Sequence, residues 1–350
     1  MWIKCPCLLL GSTHNQGYNG PMTTSLMPFS ELTPDIILSA VESLDLPSDG
    51  RLLALNSYEN RVYQVGIEHS TPVIAKFYRP NRWTTSAILE EHSFIQELFE
   101  SEIPVVPPLR FRAKQTLNEI GGFRFSLFPK QGGRVPEIEG REKLEWMGRF
   151  IGRMHAVGAL KAFKARPTLN IANFGDEPYD YLLKHDFIPA ELLSAYQSTI
   201  TLALDAVRRC FDRAGVVNSL RLHGDCYPGN ILWTEDGPHF VDFDDSRMGP
   251  AIQDLWMLLS GDRAEMTVQF NHLMTGYRTF YDFNASELHL LEALRTLRLI
   301  YYSAWIARRW DDPAFPMAFP WFNTVRYWQD RIIELREQIA LMNEEPISSF

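Results

Sequence analysis

The chain has 350 residues, enough for one large domain or two ordinary ones. Its 45% hydrophobic and 22% charged content is that of an ordinary globular protein, and the formal net charge of −9 argues against binding nucleic acid through a general positive field. No run approaches the roughly 18 apolar residues of a membrane span, and Cys5, Cys7, Cys210 and Cys226 are too scattered for a disulfide framework or paired zinc motifs, so a reducing compartment, the cytoplasm, is expected.

Residues 1–21 differ from the rest. The apolar core Cys7–Leu10 is too short for a signal peptide, and residues 14–20 are turn-rich. They read as a disordered extension or a misassigned start, with Met22 the biological start. Thr33-Pro34 opens a helix whose face is Ile36, Ile37, Ala40, Val41 and Leu44. Short β-like runs follow at 51–55, 61–65 and 73–77, the first two joined by the polar turn Asn56–Asn60. Lys76 stands alone in the third, otherwise apolar, run. It is either an edge strand's guard against aggregation or a buried cation aimed at phosphate. Residues 83–100 have helical period, with Ile88, Glu91, Ile95 and Leu98 on one face. A carboxylate on that face needs a partner, and Lys76 is the candidate; Glu90 points elsewhere. Strands are expected at 109–112 and 123–128.

Residues 130–133, entered from Pro129 and containing two glycines, read as a hinge between an N-lobe at 22–129 and a helical C-lobe at 134–350. Helices are expected at 142–155, 189–214, 251–260, 264–280, 286–310 and 322–343. The expected architecture is α+β and two-lobed, with a small antiparallel-sheet lobe carrying one long helix and a larger, mostly helical lobe. In the latter, the stretch 310–321, rich in Pro and aromatics, either lines an acceptor groove or fills the lobe.

The second lobe contains the stretch around which the chain is organised. An apolar run enters His223-Gly224-Asp225, a Pro-Gly turn leads to Asn230, and two short strands end on Asp242. Two carboxylates and an amide oxygen at one rim suit a hard, oxygen-seeking cation such as Mg²⁺. Phosphoryl transfer needs a metal, a cation on the phosphates and a carboxylate to orient the attacking hydroxyl. Asp225 fits the last task and Asn230 and Asp242 the first, with Asp244 and Asp245 as alternative metal ligands. Lys76 braced by Glu91 fits the second. Asp254 reads as a brace for the loop backbone, His155 as a satisfied core histidine, His223 as loop architecture and Cys226 as a packed thiol.

The spacing His223-x-Asp225-x₄-Asn230, then Asp242, resembles the catalytic loop and metal-binding Asp of protein kinases. His-Gly-Asp, the run Val241–Asp244 and Gln253-Asp254-Leu255 are similar to the aminoglycoside-phosphotransferase and choline-kinase-like branch. Asn56–Gln64, Lys76–Pro80, Leu89–His92, Leu222–Trp233, Gln253–Leu259 and Trp310–Pro316 carry a narrower resemblance to the bacterial stress-response serine/threonine protein kinases of that branch, over roughly residues 22–345. The resemblance implies ATP bound between the lobes, with Phe128 and Lys130 near the adenine and Ser57 on a phosphate. It implies Asp225 and Asp242 as catalytic residues, Mg²⁺ on Asn230 and Asp242, and a monomeric kinase of protein Ser/Thr acceptors that autophosphorylates. The chain departs from the eukaryotic pattern in lacking a G-x-G-x-x-G loop and an A-P-E segment. Two other readings stand beside this one: a kinase of a small alcohol (aminoglycoside, choline or homoserine type), and a nucleotide-binding module without catalysis.

Overall fold

The computed structural model describes residues 27–111 and 114–348. The expectations for residues 1–21, Met22, Cys5, Cys7 and Arg112 lie outside the described residues.

Helix α1 (Pro34–Glu42) starts as its sequence dictates: Thr33 Oγ1 accepts from the Ile36 N–H and Pro34 takes the first helical position. Strands β1 (Ser48–Leu55), β2 (Arg61–Ile67) and β3 (Val73–Phe77) lead to helix α2 (Thr85–Glu100), then to β4 (Asn118–Ile120) and β5 (Phe123–Pro129). They form one antiparallel sheet in the order β1-β2-β3-β5-β4. Lys76 lies opposite Val62 and Ser126, so β3 is a central strand and Lys76 is no edge guard. Its strand neighbours Ala75 and Phe77 point into a core with Ile37, Val41, Val65, Phe125 and Leu127. Alternation therefore puts Lys76 on the other face.

Of the strand expected at 109–112, the described residues 109–111 form no strand. Leu109 N–H makes a single bond to Leu127 O, and Phe111 bridges only Gln115. The edge is taken by β4, joined to β5 by Gly121-Gly122, both at positive φ. That two-residue turn matches the twist of the strands it connects, whereas Pro104, Pro107 and Pro108 remove ladder donors just before residue 109.

The second lobe contains α3 (Arg141–Gly158), α4 (Glu177–Lys184), α5 (Ala190–Ala214), β6 (Leu220–Leu222), β7 (Ile231–Thr234), β8 (Gly237–Phe240), β9 (Arg247–Gly249), α6 (Ile252–Trp256), α7 (Arg263–Tyr277), α8 (Leu291–Ala307), α9 (Ala314–Ala318) and α10 (Val325–Met342). Several boundaries differ from expectation, three of them notably. The helix expected at 251–260 is the short α6. The one expected from 286 begins as a 3₁₀ segment, Ala285–Leu290, before α8. The one expected from 322 begins at Val325, capped by Thr324. Helices α4 and α9 lie where no helix was expected. Within 310–321, Phe315 and Phe319 are buried and pack on Trp305, so the stretch largely fills the lobe.

The result is a two-lobed, protein-kinase-like α+β fold. Helix α2 joins the two parts, because Phe94, Ile95 and Leu98 belong to the large helical core. Beyond β5 the chain has no helix or strand until α3, although Arg134 bridges Trp233 of β7. Among the described residues no helix is long and apolar enough to cross a membrane.

Candidate active site

Strands β6 and β9 pair antiparallel and deliver the loop 223–230 to one rim. The hairpin β7–β8 returns to the same place, where Val241 N–H donates to Asn230 O at 3.0 Å. Asn230 and the segment beginning at Asp242 are thus held side by side by backbone.

A buried polar pedestal fixes the loop. Asp254 accepts from the backbone N–H groups of His223 (2.8 Å) and Gly224 (2.9 Å) and from His155 Nε2 (3.2 Å). His155 Nδ1 accepts from the Tyr277 hydroxyl at 2.7 Å. Burial acts to raise the Asp254 carboxyl, but His155, His223 and the Gly224 N–H together outweigh it and hold the group below its usual range. His223 Nδ1 takes the Asp225 N–H, so Nε2 carries the proton and donates to Val241 O at 2.9 Å. Gly224 has φ +86 and lies so close to Asp245 O that a Cβ there would collide with it. Asp254, His155 and His223 are structural, as expected, and Cys226 is a packed thiol whose pKa is pushed well up by burial.

On this support Asp225 Oδ2 accepts from Asn230 Nδ2 at 3.2 Å. Asn230 Nδ2 also donates to Asp225 O, which leaves its Oδ1 facing away from Asp225. Asp225 Oδ1 accepts no hydrogen bond but ion-pairs with Arg298 of α8 at 2.7 Å.

The next segment separates the three aspartates, among which the sequence favoured Asp242 over Asp244 and Asp245. Asp242 sits in the left-handed region at φ +60, which Asp tolerates better than most residues. A 3₁₀ turn, Phe243–Asp245, follows. Asp242 is left with a side chain 56% exposed, while that of Asp244 is 5% exposed. Lys76 Nζ reaches Asp242 Oδ1 and Asp244 Oδ1, both at 3.2 Å, and Glu91 Oε1 at 3.6 Å. Burial acts to lower the Lys76 pKa, but these carboxylates outweigh it and raise it well above its ordinary value. Asp244 is further paired with Arg82. Against the opposing effect of burial, Arg82 and Lys76 hold its carboxyl far below the usual range.

The expected Lys76–Glu91 pair exists, but it is shared. Glu91 makes its shorter contact, 2.6 Å, with Arg166. Arg166 also donates to the carbonyls of Ala87, Asp244 and Ser246, tying α2 to the metal-rim segment. Burial pushes the Glu91 carboxyl up, and Lys76 and Arg166 pull against it. Glu90 points elsewhere, as expected, and accepts from the backbone N–H groups of 164, 165 and 166.

Ser57 lies half-buried in the turn between β1 and β2. Beside it, Glu59 is tied to Arg309 (2.7 Å), Arg79 (3.1 Å) and Trp305 Nε1 (2.6 Å). Asp312 pairs with Arg79 at 2.7 Å and Arg61 at 3.3 Å. The turn over the cleft is thereby fastened to the helical lobe. Phe128 is half-buried near the end of β5, its ring 6.4 Å from that of His92, and Lys130 is exposed just beyond. The sequence reading missed Arg82, Arg166 and Arg298. Arg82 had a signal, since the cationic run 79–82 directly follows the lysine strand; Arg166 and Arg298 had none.

Known proteins resemble this chain in sequence and in fold. A 43% identical relative, "Stress response kinase A" of Escherichia coli (strain K12), aligns over 93% of this chain and 98% of its own. "Serine/threonine protein kinase RdoA" of Salmonella typhimurium (strain LT2) is 42% identical with the same coverage. Among solved structures, amicoumacin kinase hAmiN in complex with AMP-PNP, Ca²⁺ and Ami superposes with a TM-score of 0.68 at 20% identity, over 89% of this chain and 94% of that one. The family model described as "Phosphotransferase enzyme family" matches residues 51–291. The chain is a kinase and belongs to the phosphotransferase enzyme family.

Proposed function

We propose that this kinase transfers the γ-phosphoryl group of ATP to serine or threonine hydroxyls of proteins, with Mg²⁺. The observation that carries the nucleotide part is the 3.2 Å contact between Lys76 of the sheet lobe and Asp242 of the helical lobe, beside Asn230 and Asp225. A phosphate cation and a candidate metal carboxylate meet where the two lobes face each other. Among the described residues no three His, Cys, Asp or Glu side chains form a ready metal cage. A pair such as Asn230 and exposed Asp242 fits instead a cation that takes most of its oxygens from phosphate and water, as Mg²⁺ does. That ion would neutralise phosphate charge.

The chain's own residues do the rest in this reading. Lys76, braced by Glu91, holds phosphate oxygens. Ser57 and the 56–60 turn close over them. Phe128 and Lys130 border the adenine, and residues 130–133 hinge the lobe of 22–129 against that of 134–350. Asp225 orients the acceptor hydroxyl and takes its proton. The protein acceptor rests on the relative named a serine/threonine protein kinase, and a role in a cytoplasmic stress response on the relatives' shared name. A monomer that autophosphorylates is the simplest form of this enzyme.

The second reading, a small-alcohol kinase, is favoured by one observation: the amicoumacin kinase has the same fold. Radiolabelled transfer from ATP to a protein panel and to a small-alcohol panel separates the two. Wild-type protein should label serine or threonine, and Asp225→Ala should lose about 10²–10⁴-fold of that rate while still binding ATP. Labelling of small alcohols alone would sink the protein acceptor.

A further inference from the structure

The family match ends at residue 291, yet the side chain that ion-pairs with Asp225 Oδ1 comes from beyond it. Arg298 lies in the middle of α8, and its Nη1 is 2.7 Å from Asp225 Oδ1. The other carboxylate oxygen accepts one bond from Asn230 and keeps a lone pair. Oδ1 is buried against Arg298, so a hydroxyl that gives its proton to Asp225 approaches Oδ2. The Arg298 side chain is 39% exposed and that of Asp225 20% exposed, so the guanidinium borders that approach. Arg298 also acts on Asp245, whose carboxylate is bound by Arg82 and Arg247. The acceptor side of Asp225 is thus flanked by fixed cations.

We propose that Arg298 is a positioning residue that also sets acceptor choice. It holds the Asp225 carboxylate toward the incoming hydroxyl, and it favours hydroxyls with neutral or anionic neighbours over hydroxyls beside a fixed cation. A guanidinium is always charged and presents its donors in a rigid fork, so it can keep one N–H on the carboxylate and turn another toward an acidic group of the acceptor. An acceptor ammonium brought to the same place meets a like charge at short range, where solvent screening is weak. This inference rests on the kinase reading and refines its acceptor class.

The test uses three serine peptides, identical except for Glu, Ala or Lys on both sides of the serine, with full-length enzyme and MgATP. Wild type should prefer Glu over Ala over Lys. Arg298→Ala should lower kcat by about 10–100-fold and flatten the order, with KM for ATP changed by no more than about twofold. Arg298→Lys should keep the order and recover part of the rate. Arg298→Glu should reverse the order in favour of Lys. ATP-induced thermal stabilisation of each variant confirms that it folds and binds nucleotide. The inference is overturned if the order survives in Arg298→Ala and Arg298→Glu, or if wild type prefers the Lys peptide. Should wild type label none of the peptides, the protein-acceptor reading fails by itself, and the same charge series is run on small alcohols. An anionic or neutral alcohol preferred over choline, with the order reversed by Arg298→Glu, supports the role of Arg298. Preference for choline that is indifferent to Arg298 removes it.

Discussion

Two charged regions meet at the cleft and are built on opposite terms. At the corner around Lys76, six cations and carboxylates are linked: Lys76 faces three carboxylates, Asp244 faces two cations, and Glu91 faces two. Most of these pairs join elements far apart in the chain. The pedestal under the catalytic loop works differently. Asp254 has one geometry, with each of its bonds coming from a backbone N–H or a histidine ring within the helical lobe. A shared ion network tolerates exchange of one partner for another, such as phosphate or a metal, because its buried members Lys76, Glu91 and Asp244 each keep a second contact. A pedestal with single, buried partners does not, since each lost partner leaves an unsatisfied group. The comparison teaches that the same residue types serve as movable charge in one place and as fixed scaffold in the other.

The largest expected effects break the corner without breaking the fold. Lys76→Met and Asp242→Ala should each lower kcat/KM by about 10²–10⁴-fold, as expected for parts that bind charge in the transition state. Glu91 keeps Arg166 and Asp244 keeps Arg82 in Lys76→Met, so its loss of folding stability should stay below about 1 kcal/mol. Radiolabelled transfer and urea unfolding on the same samples check this, and a variant that unfolds would refute the idea of a redundant network.

Pedestal damage should do the reverse. Asp254→Ala leaves two loop N–H groups and His155 without their acceptor inside the core. We expect a stability loss of about 3 kcal/mol, with activity falling alongside it. Urea unfolding measures it; an unchanged midpoint would mean that the loop is held by something else.

A smaller contrast lies within the corner. Asp244→Asn removes a buried charge that Arg82 and Lys76 both contact, and should cost about 1–3 kcal/mol. Asp242→Asn removes an exposed one and should cost less than about 0.5 kcal/mol. Equal losses for the two would contradict the different placement of these side chains.

A further effect is in pH. His92 is buried behind Glu91, between the Tyr78 hydroxyl at 2.7 Å and Thr116 at 2.8 Å. Burial, aided by Lys76, lowers its pKa to about 3 from the model-peptide value of 6.5. The unfolded chain takes a proton below 6.5 and the folded chain does not. The contribution of His92 is therefore complete above pH 6.5 and is lost as pH falls toward 3, at up to about 1.4 kcal/mol per unit. Glu287 opposes it in part of that window, because burial lifts its carboxyl to about 7. Its stabilising share is complete below 4.5 and is lost as pH rises. The difference in urea stability between wild type and His92→Gln at pH 7 and pH 5 isolates the histidine; no change in that difference would show that His92 titrates normally.

Much of the site was legible along the chain because it is local. The spacing from His223 to Asp225 and Asn230, the lysine in an apolar strand and the glutamate on an apolar helix face can each be read from a few neighbouring residues. The sheet lobe and the longer helices follow from periodicity; the strand expected at 109–112 gave way to prolines and a tight glycine turn, and several helix boundaries shifted. Tertiary structure alone decided which of Asp242, Asp244 and Asp245 faces solvent. That choice follows from a left-handed backbone at Asp242 and the turn after it, where neither helical nor strand period applies. It also decided the partners. Arg166 and Arg298 look like ordinary surface arginines in sequence, Arg82 is hinted at only by its place after the lysine strand, and folding brings each to a carboxylate of the cleft. Ion pairs act through distance in space, and the chain records only distance along itself.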